Sequence, residues 1–178
     1  MSTTIFVWHR AGENIGHAAI KVADTYMSWW PSGDGTKLDM FNTIYGTGGA
    51  VRPPNYDDDV AGEGGNDPDY QADHFGWDDG GAIAFWNNEC VPNFLKAVSA
   101  NRGRKRPQKY QFIMNNCSTL VIEMLRRAGA FNGEFSLNLW LGLRNTVALT
   151  PKDVYRTSEY LLGNKWQILN ALSPVPDA

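Results

Sequence analysis

A chain of 178 residues, 43% of them hydrophobic and seven of them tryptophan, can bury a core without metal or disulfide staples and reads as one domain over 1–178. Its formal net charge of -3 argues against a general nucleic-acid binder, and no apolar run approaches the roughly 18 residues of a transmembrane segment. Two cysteines, Cys90 and Cys117, make neither a disulfide framework nor a metal-spaced cluster, so no metal and no other cofactor is expected.

The N-terminus MSTTIFVWHR lacks a basic region followed by a long apolar core, so export by a cleavable signal is not expected. Ile5 to Trp8 is a β-branched and aromatic run that reads as a first strand, followed by a polar loop with Gly12, Asn14 and Gly16. His17 to Val22 and Tyr26 to Trp30 flank Ala23-Asp24-Thr25 and read as a hairpin, with His17 opening its first strand. From Pro31 to Gly81 the chain is rich in Gly, Pro and Asp, with a weak extended candidate near Lys37 to Tyr45. So long an insertion suggests a functional loop, a lid or disorder. Its acidic residues, Asp57, Asp58, Asp59, Glu63, Asp67, Asp69, Asp73, Asp78 and Asp79, do not match a calcium loop and read as a solvated surface. His74 among them reads as an exposed loop histidine.

Gly81 to Trp86 (GAIAFW) reads as a strand, and Val91 to Ala100 as a short helix with Pro92 in its first turn. The basic residues Arg102, Arg104, Lys105, Arg106 and Lys109 read as a solvated loop able to meet phosphate, and Lys109 to Met114 as a short extended segment leading into a helix. Phe135 to Leu143 is apolar and ambiguous. Thr150-Pro151-Lys152-Asp153 is a helix start, which places a helix over Pro151 to Leu162, with a last strand or turn over Trp166 to Leu172.

The chemistry centres on YQFIMNNCSTLVIEMLRRAG, residues 110–129. Leu120, Val121, Met124, Leu125 and Ala128 fall at helical spacing, Asn116 is a good N-cap, and Gly129 suits a left-handed C-terminal cap. A thiol in the first turn lies against unpaired amides and the positive end of the helix, which favours thiolate. The same pattern also accommodates a buried structural cysteine. A cysteine nucleophile needs a base, itself oriented by a third polar group. Of His9, His17 and His74, His17 sits best, opening a strand. The neighbouring strand offers Asp24 and Ser28 as the third group, and Ser28 is the choice because its hydroxyl can hold the imidazole tautomer.

GHAAIKVADTYMSWWP with its early histidine, and NNCSTLVIEMLRRAG with Asn-Cys opening a helix, resemble the circularly permuted branch of the NlpC/P60 papain-like superfamily. Lecithin:retinol acyltransferase and related small phospholipases and acyltransferases belong to that branch. The resemblance implies an α+β fold in which a small antiparallel sheet packs against helices, with the nucleophile at a helix N-terminus. It also implies a thioester formed from an acyl ester or amide by Cys117 with His17. Members often carry a second histidine on the following strand, where Ser28 or Trp29 stands here. The chain is also similar to domains of antibacterial effectors of contact-dependent secretion systems. That likeness implies delivery to a target cell without a signal peptide, a secretion-system carrier and a cognate immunity protein.

Two substrate classes follow from the resemblance. A phospholipid acyl ester would want an apolar groove, for which Trp29, Trp30, Trp77 and Trp86 are candidates if they are not core. A peptidoglycan peptide would want a polar cleft, and its amidase or endopeptidase cleavage is the alternative. Phospholipid hydrolysis is the first expectation; a non-catalytic binding domain on the same scaffold is the third.

Overall fold

The computed structural model describes residues 2–9, 16–29, 55–92, 116–132 and 149–172, the side chains of the last stretch as far as residue 163. Period-two alternation sets the sheet. In β1 (Ser2–Trp8) Ile5 and Val7 face one side and Phe6 and Trp8 the other, all four buried. A strand buried on both faces belongs in the middle of a layered structure. β2 (His17–Val22) pairs antiparallel with β1, Ile5 opposite Ile20 and Trp8 opposite His17. β4 (Tyr70–Phe75) flanks β1 on its other side, again antiparallel, with Thr3 opposite His74. β3 (Thr25–Met27) folds back on β2 through Ala23 and Asp24, Ala23 in the left-handed region at φ 50. The resulting order is β3-β2-β1-β4.

Helices cover both faces unequally. α1 (Tyr56–Gly62) lays Tyr56 and Val60 over Phe6, Trp8, Ala19 and Tyr26 on one face. On the other face α3 (Cys117–Arg127) packs Leu120, Val121, Met124 and Leu125 against β2, flanked by α2 (Asp79–Phe85) and α4 (Pro151–Leu172). Fully buried Ile20, Met27, Met124 and Leu125 contribute roughly 1.5–3 kcal/mol each, so the α3 face supplies most of the packing energy. α2 approaches α3 backbone to backbone. Asp78 N–H donates to the Ala128 carbonyl at 3.0 Å, and a Cβ on Gly81 would fall 2.6 Å from the Arg127 carbonyl oxygen. Among the described residues the protein is therefore mixed α+β, a four-stranded antiparallel sheet with four α-helices.

Several sequence expectations need correction. Gly81 to Trp86 is helical, running from α2 into a π-helical turn at Trp86–Cys90. Asp78 accepts from Gly80 N–H at 3.0 Å and starts the helix, while Gly81 permits the close approach to α3, so local capping and packing override an apolar, strand-like composition. Within the acidic insertion, Tyr56–Gly62 form α1 and Tyr70–Phe75 form β4. Asp59, Glu63 and Asp79 are buried rather than solvated. His74 is a buried residue of β4, its Nε2 2.8 Å from Ser158 Oγ and its ring stacked on Trp77. No strand or turn follows the C-terminal helix within the described residues; α4 runs unbroken to Leu172. Val91 and Pro92 are helical, but the rest of that expected helix, Lys37 to Tyr45, Trp30, the basic 102–109 loop, Lys109 to Met114 and Phe135 to Leu143 lie outside the described residues.

Candidate active site

The start of α3 is fixed by a reciprocal cap. Asn116 Oδ1 accepts from Thr119 N–H at 2.9 Å while Thr119 Oγ1 accepts from Asn116 N–H at 2.8 Å. Asn116 Nδ2 also donates to the Leu149 carbonyl at 2.9 Å, tying this end to the residues before α4. Cys117 is thereby the first helical residue, 5% exposed, at the positive end of the helix, with the Ala18 backbone N–H and the Ser118 hydroxyl beside its sulfur.

The sheet brings a histidine to that point. The β1–β2 pairing ends at Trp8 and His17, and β3 ends one residue before Ser28, so His17 and Ser28 meet where the strands leave the sheet. His17 shares the parity of Ala19 and points toward the α1 face, where the Trp8 ring lies 5.5 Å from its own. Its Nε2 is 2.9 Å from Ser28 Oγ and 3.0 Å from Asp59 Oδ2 of α1. The imidazole is also hydrogen-bonded to the Cys117 thiol, which leaves Nδ1 as the nitrogen serving the sulfur. At the end of the sheet, one ring joins an acid on one face to a thiol on the other.

Asp59 reaches this position through α1. Asn55 Oδ1 accepts from Asp58 N–H at 2.8 Å and Asp58 Oδ2 accepts from Asn55 N–H at 2.9 Å, a second capping box that sets the helix start. The following segment is held to the sheet by Trp8 Nε1 donating to the Asn66 carbonyl at 2.9 Å and His9 N–H donating to Asp69 at 2.7 Å. Tyr26 Oη donates to Asp59 Oδ2 at 2.5 Å. Ser28 donates to the same carboxylate, so the single His17 Nε2–H is shared between Ser28 Oγ and Asp59 Oδ2, both acting as acceptors.

The electrostatics are those of an ion pair. Burial works against charge on His17, but the Cys117 thiolate and the Asp59 carboxylate outweigh it and push the imidazole from 6.5 up to about 10. Burial likewise resists ionisation of Cys117. The His17 charge and hydrogen bond, the Ala18 backbone N–H and the Ser118 hydroxyl overcome it and lower the thiol. Burial would also raise Asp59, yet hydrogen bonds from His17, Tyr26 and Ser28 and the His17 charge hold it below its ordinary value. Cys90 moves the other way: burial and the Glu89 charge push it up to about 12, which marks it as an inert thiol.

Cys117, His17 and Ser28, chosen from sequence, thus converge, and Asp59 joins them as the group sequence reasoning missed. Asp24 is exposed in the hairpin turn, away from this cluster's hydrogen bonds. His9 follows β1 rather than lying within it, and its ring packs edge-on against Tyr155 of α4. His74 binds Ser158 instead. Among the described residues no cluster of three or more His, Cys, Asp or Glu is arranged to hold a metal ion, and no helix is long and apolar enough to cross a membrane. No family model, curated protein or solved structure matches the chain.

Proposed function

We propose that this protein is a cysteine-dependent acyl hydrolase of permuted papain-like design. The observation that carries the reading is the buried Cys117–His17–Asp59 sequence of contacts at the N-terminus of α3, with Nε2 of His17 engaged by Asp59 at 3.0 Å and its other nitrogen left for the sulfur. In this reading Cys117 thiolate attacks the carbonyl carbon of an ester or amide. The carbonyl π electrons move to oxygen, where the first amides of α3 meet the charge. His17 gives its Nδ1 proton to the departing alkoxide or amine, leaving a thioester. Water, deprotonated by neutral His17, then attacks the thioester, releases the carboxylate and regenerates the thiolate–imidazolium pair. Asp59 stays ionised throughout and holds the imidazole in one tautomer and one orientation.

For the substrate we retain the phospholipid acyl ester, supported by the sequence resemblance, and with it the role of a delivered antibacterial effector. Trp29 and Trp86 fill the core between sheet and helices, the usual place for such aromatics, so neither lines a groove for an acyl chain. The test is incubation of the protein and of Cys117→Ala with mixed phospholipid vesicles and, separately, with purified peptidoglycan. Free fatty acid and lysolipid released only by the intact thiol support the lipid reading. New peptide fragments would move the substrate to cell-wall peptide, and identical products from Cys117→Ala would remove the cysteine mechanism.

A further inference from the structure

Resting on the reading of Cys117 as nucleophile, we propose that Tyr26 is a positioning residue for the site: its phenol keeps Asp59 ionised and fixed in rotation, so that His17 retains the imidazolium half of the pair. Two donors converge on one carboxylate oxygen, Tyr26 Oη at 2.5 Å and His17 Nε2 at 3.0 Å. A separation of 2.5 Å belongs to the charge-assisted O–H···O⁻ class, about twice as strong as a neutral hydrogen bond. Packing sets the phenol's direction. Its ring lies 5.7 Å from Phe6 and 6.0 Å, edge-on, from Tyr56, and Tyr26 stands opposite Lys21 in the β2–β3 register. The oxygen is therefore aimed by the aromatic cluster of the α1 face rather than by the carboxylate alone.

The choice of a phenol has chemical consequences. A lysine or arginine here would cancel the Asp59 charge and weaken its hold on His17. A phenol donates a hydrogen bond and leaves the negative charge in place. Asp59 is completely buried, and a carboxylate so placed ionises readily only when several donors reach it. Tyr26 is one of three, with His17 and Ser28. The titratable groups that face this acid are His17 of β2, Tyr26 of β3 and, through the imidazole, Cys117 of α3; Tyr56 of α1 in turn faces the Tyr26 phenol. Removal of the phenol leaves burial less opposed, so Asp59 takes up a proton at higher pH. His17 then loses its anion and Cys117 its thiolate, and the acid limb of thiol reactivity moves upward.

The experiment is the pH dependence of iodoacetamide alkylation of Cys117, read by mass spectrometry, for the full chain and for Tyr26→Phe, Asp59→Asn and the double variant. Tyr26→Phe keeps the ring and its packing. The expected result is an acid limb displaced upward by about one pH unit, the scale of one charge-assisted bond, with the neutral plateau within about twofold and no further displacement when Asp59→Asn is already present. Placing 3,5-difluorotyrosine at position 26, a more acidic donor of similar shape, should move the limb the opposite way. Superimposable profiles for wild type and Tyr26→Phe overturn the role of Tyr26 alone, as does an equal displacement in the Asp59→Asn background. A wild-type thiol that titrates like a free one overturns the nucleophile, and the Tyr26 role with it.

Discussion

Replacing Asp59 by Asn removes a charge from the site at almost constant shape. His17 is raised from 6.5 to about 10 against its burial, a stabilisation of the imidazolium on the order of 5 kcal/mol. Two anions supply it, the Cys117 thiolate more than the Asp59 carboxylate. Without the Asp59 charge His17 should therefore titrate lower, though still raised by Cys117. The amide oxygen introduced by Asp59→Asn can still accept from Nε2, so orientation survives while charge is lost. His17 starts at about 10, so the imidazolium persists at pH 7; the change is expected in its titration midpoint, which should fall, with the neutral-pH alkylation rate of Cys117 lowered by less than about tenfold. The assay is second-order alkylation at pH 7, paired with NMR titration of the His17 ring. An Asp59→Asn protein that alkylates at the wild-type rate, with the His17 titration unmoved, would refute the assignment of Asp59.

Linkage gives the pH dependence of stability. The folded Cys117–His17 pair holds one proton, as imidazolium with thiolate. The unfolded pair holds two below the ordinary His value of 6.5, one between 6.5 and the ordinary Cys value of 9.0, and none above. The pair's contribution should be level between those values. It should decline as pH falls below them, because the lowered thiol resists protonation, and decline as pH rises toward 10, where His17 deprotonates. Asp59, held low, adds stability above its unfolded value that is lost as pH falls through its folded one. Urea midpoints at pH 5, 7.5 and 10 check this, and Cys117→Ala should abolish the plateau. Gly81→Ala should cost about 1–3 kcal/mol of stability by thermal melting, because its Cβ would meet the Arg127 carbonyl at 2.6 Å and backbone cannot yield cheaply. Asn116→Ala should lower stability by about 1–2 kcal/mol and slow Cys117 alkylation, since the cap that places the first turn is lost.

What the sequence disclosed was local. Asn116 before Cys117, the apolar spacing of α3 and the Thr150-Pro151 start of α4 are signals carried within a few residues, and so is the hairpin that presents His17 and Ser28. Asp59 was hidden for the opposite reason. It stands in an Asp57-Asp58-Asp59 run whose composition matches a solvated surface, and only docking of α1 on Phe6 and Trp8 turns one of the three inward. A signal was available in Asn55 and Asp58 at capping-box spacing, with Tyr56 and Val60 four residues apart on one helical face. The α2 segment misled because a GAIAFW run satisfies strand composition, while its true determinant, the fit of Gly81 against the α3 backbone, is a tertiary contact. His74 was misread with the acidic stretch around it, because at the end of Tyr70–Phe75 the buried position carries a polar histidine and the exposed one the apolar Phe75, which inverts the alternation.

The most direct measurement is the ultraviolet absorbance of thiolate near 240 nm, followed across pH as the difference between the wild-type protein and Cys117→Ser. If Cys117 and His17 form an ion pair, the thiolate band is present at pH 7 and persists well into the acid range. A band that emerges only near pH 8.5–9, as about 8.5 is usual for a free cysteine, would contradict it.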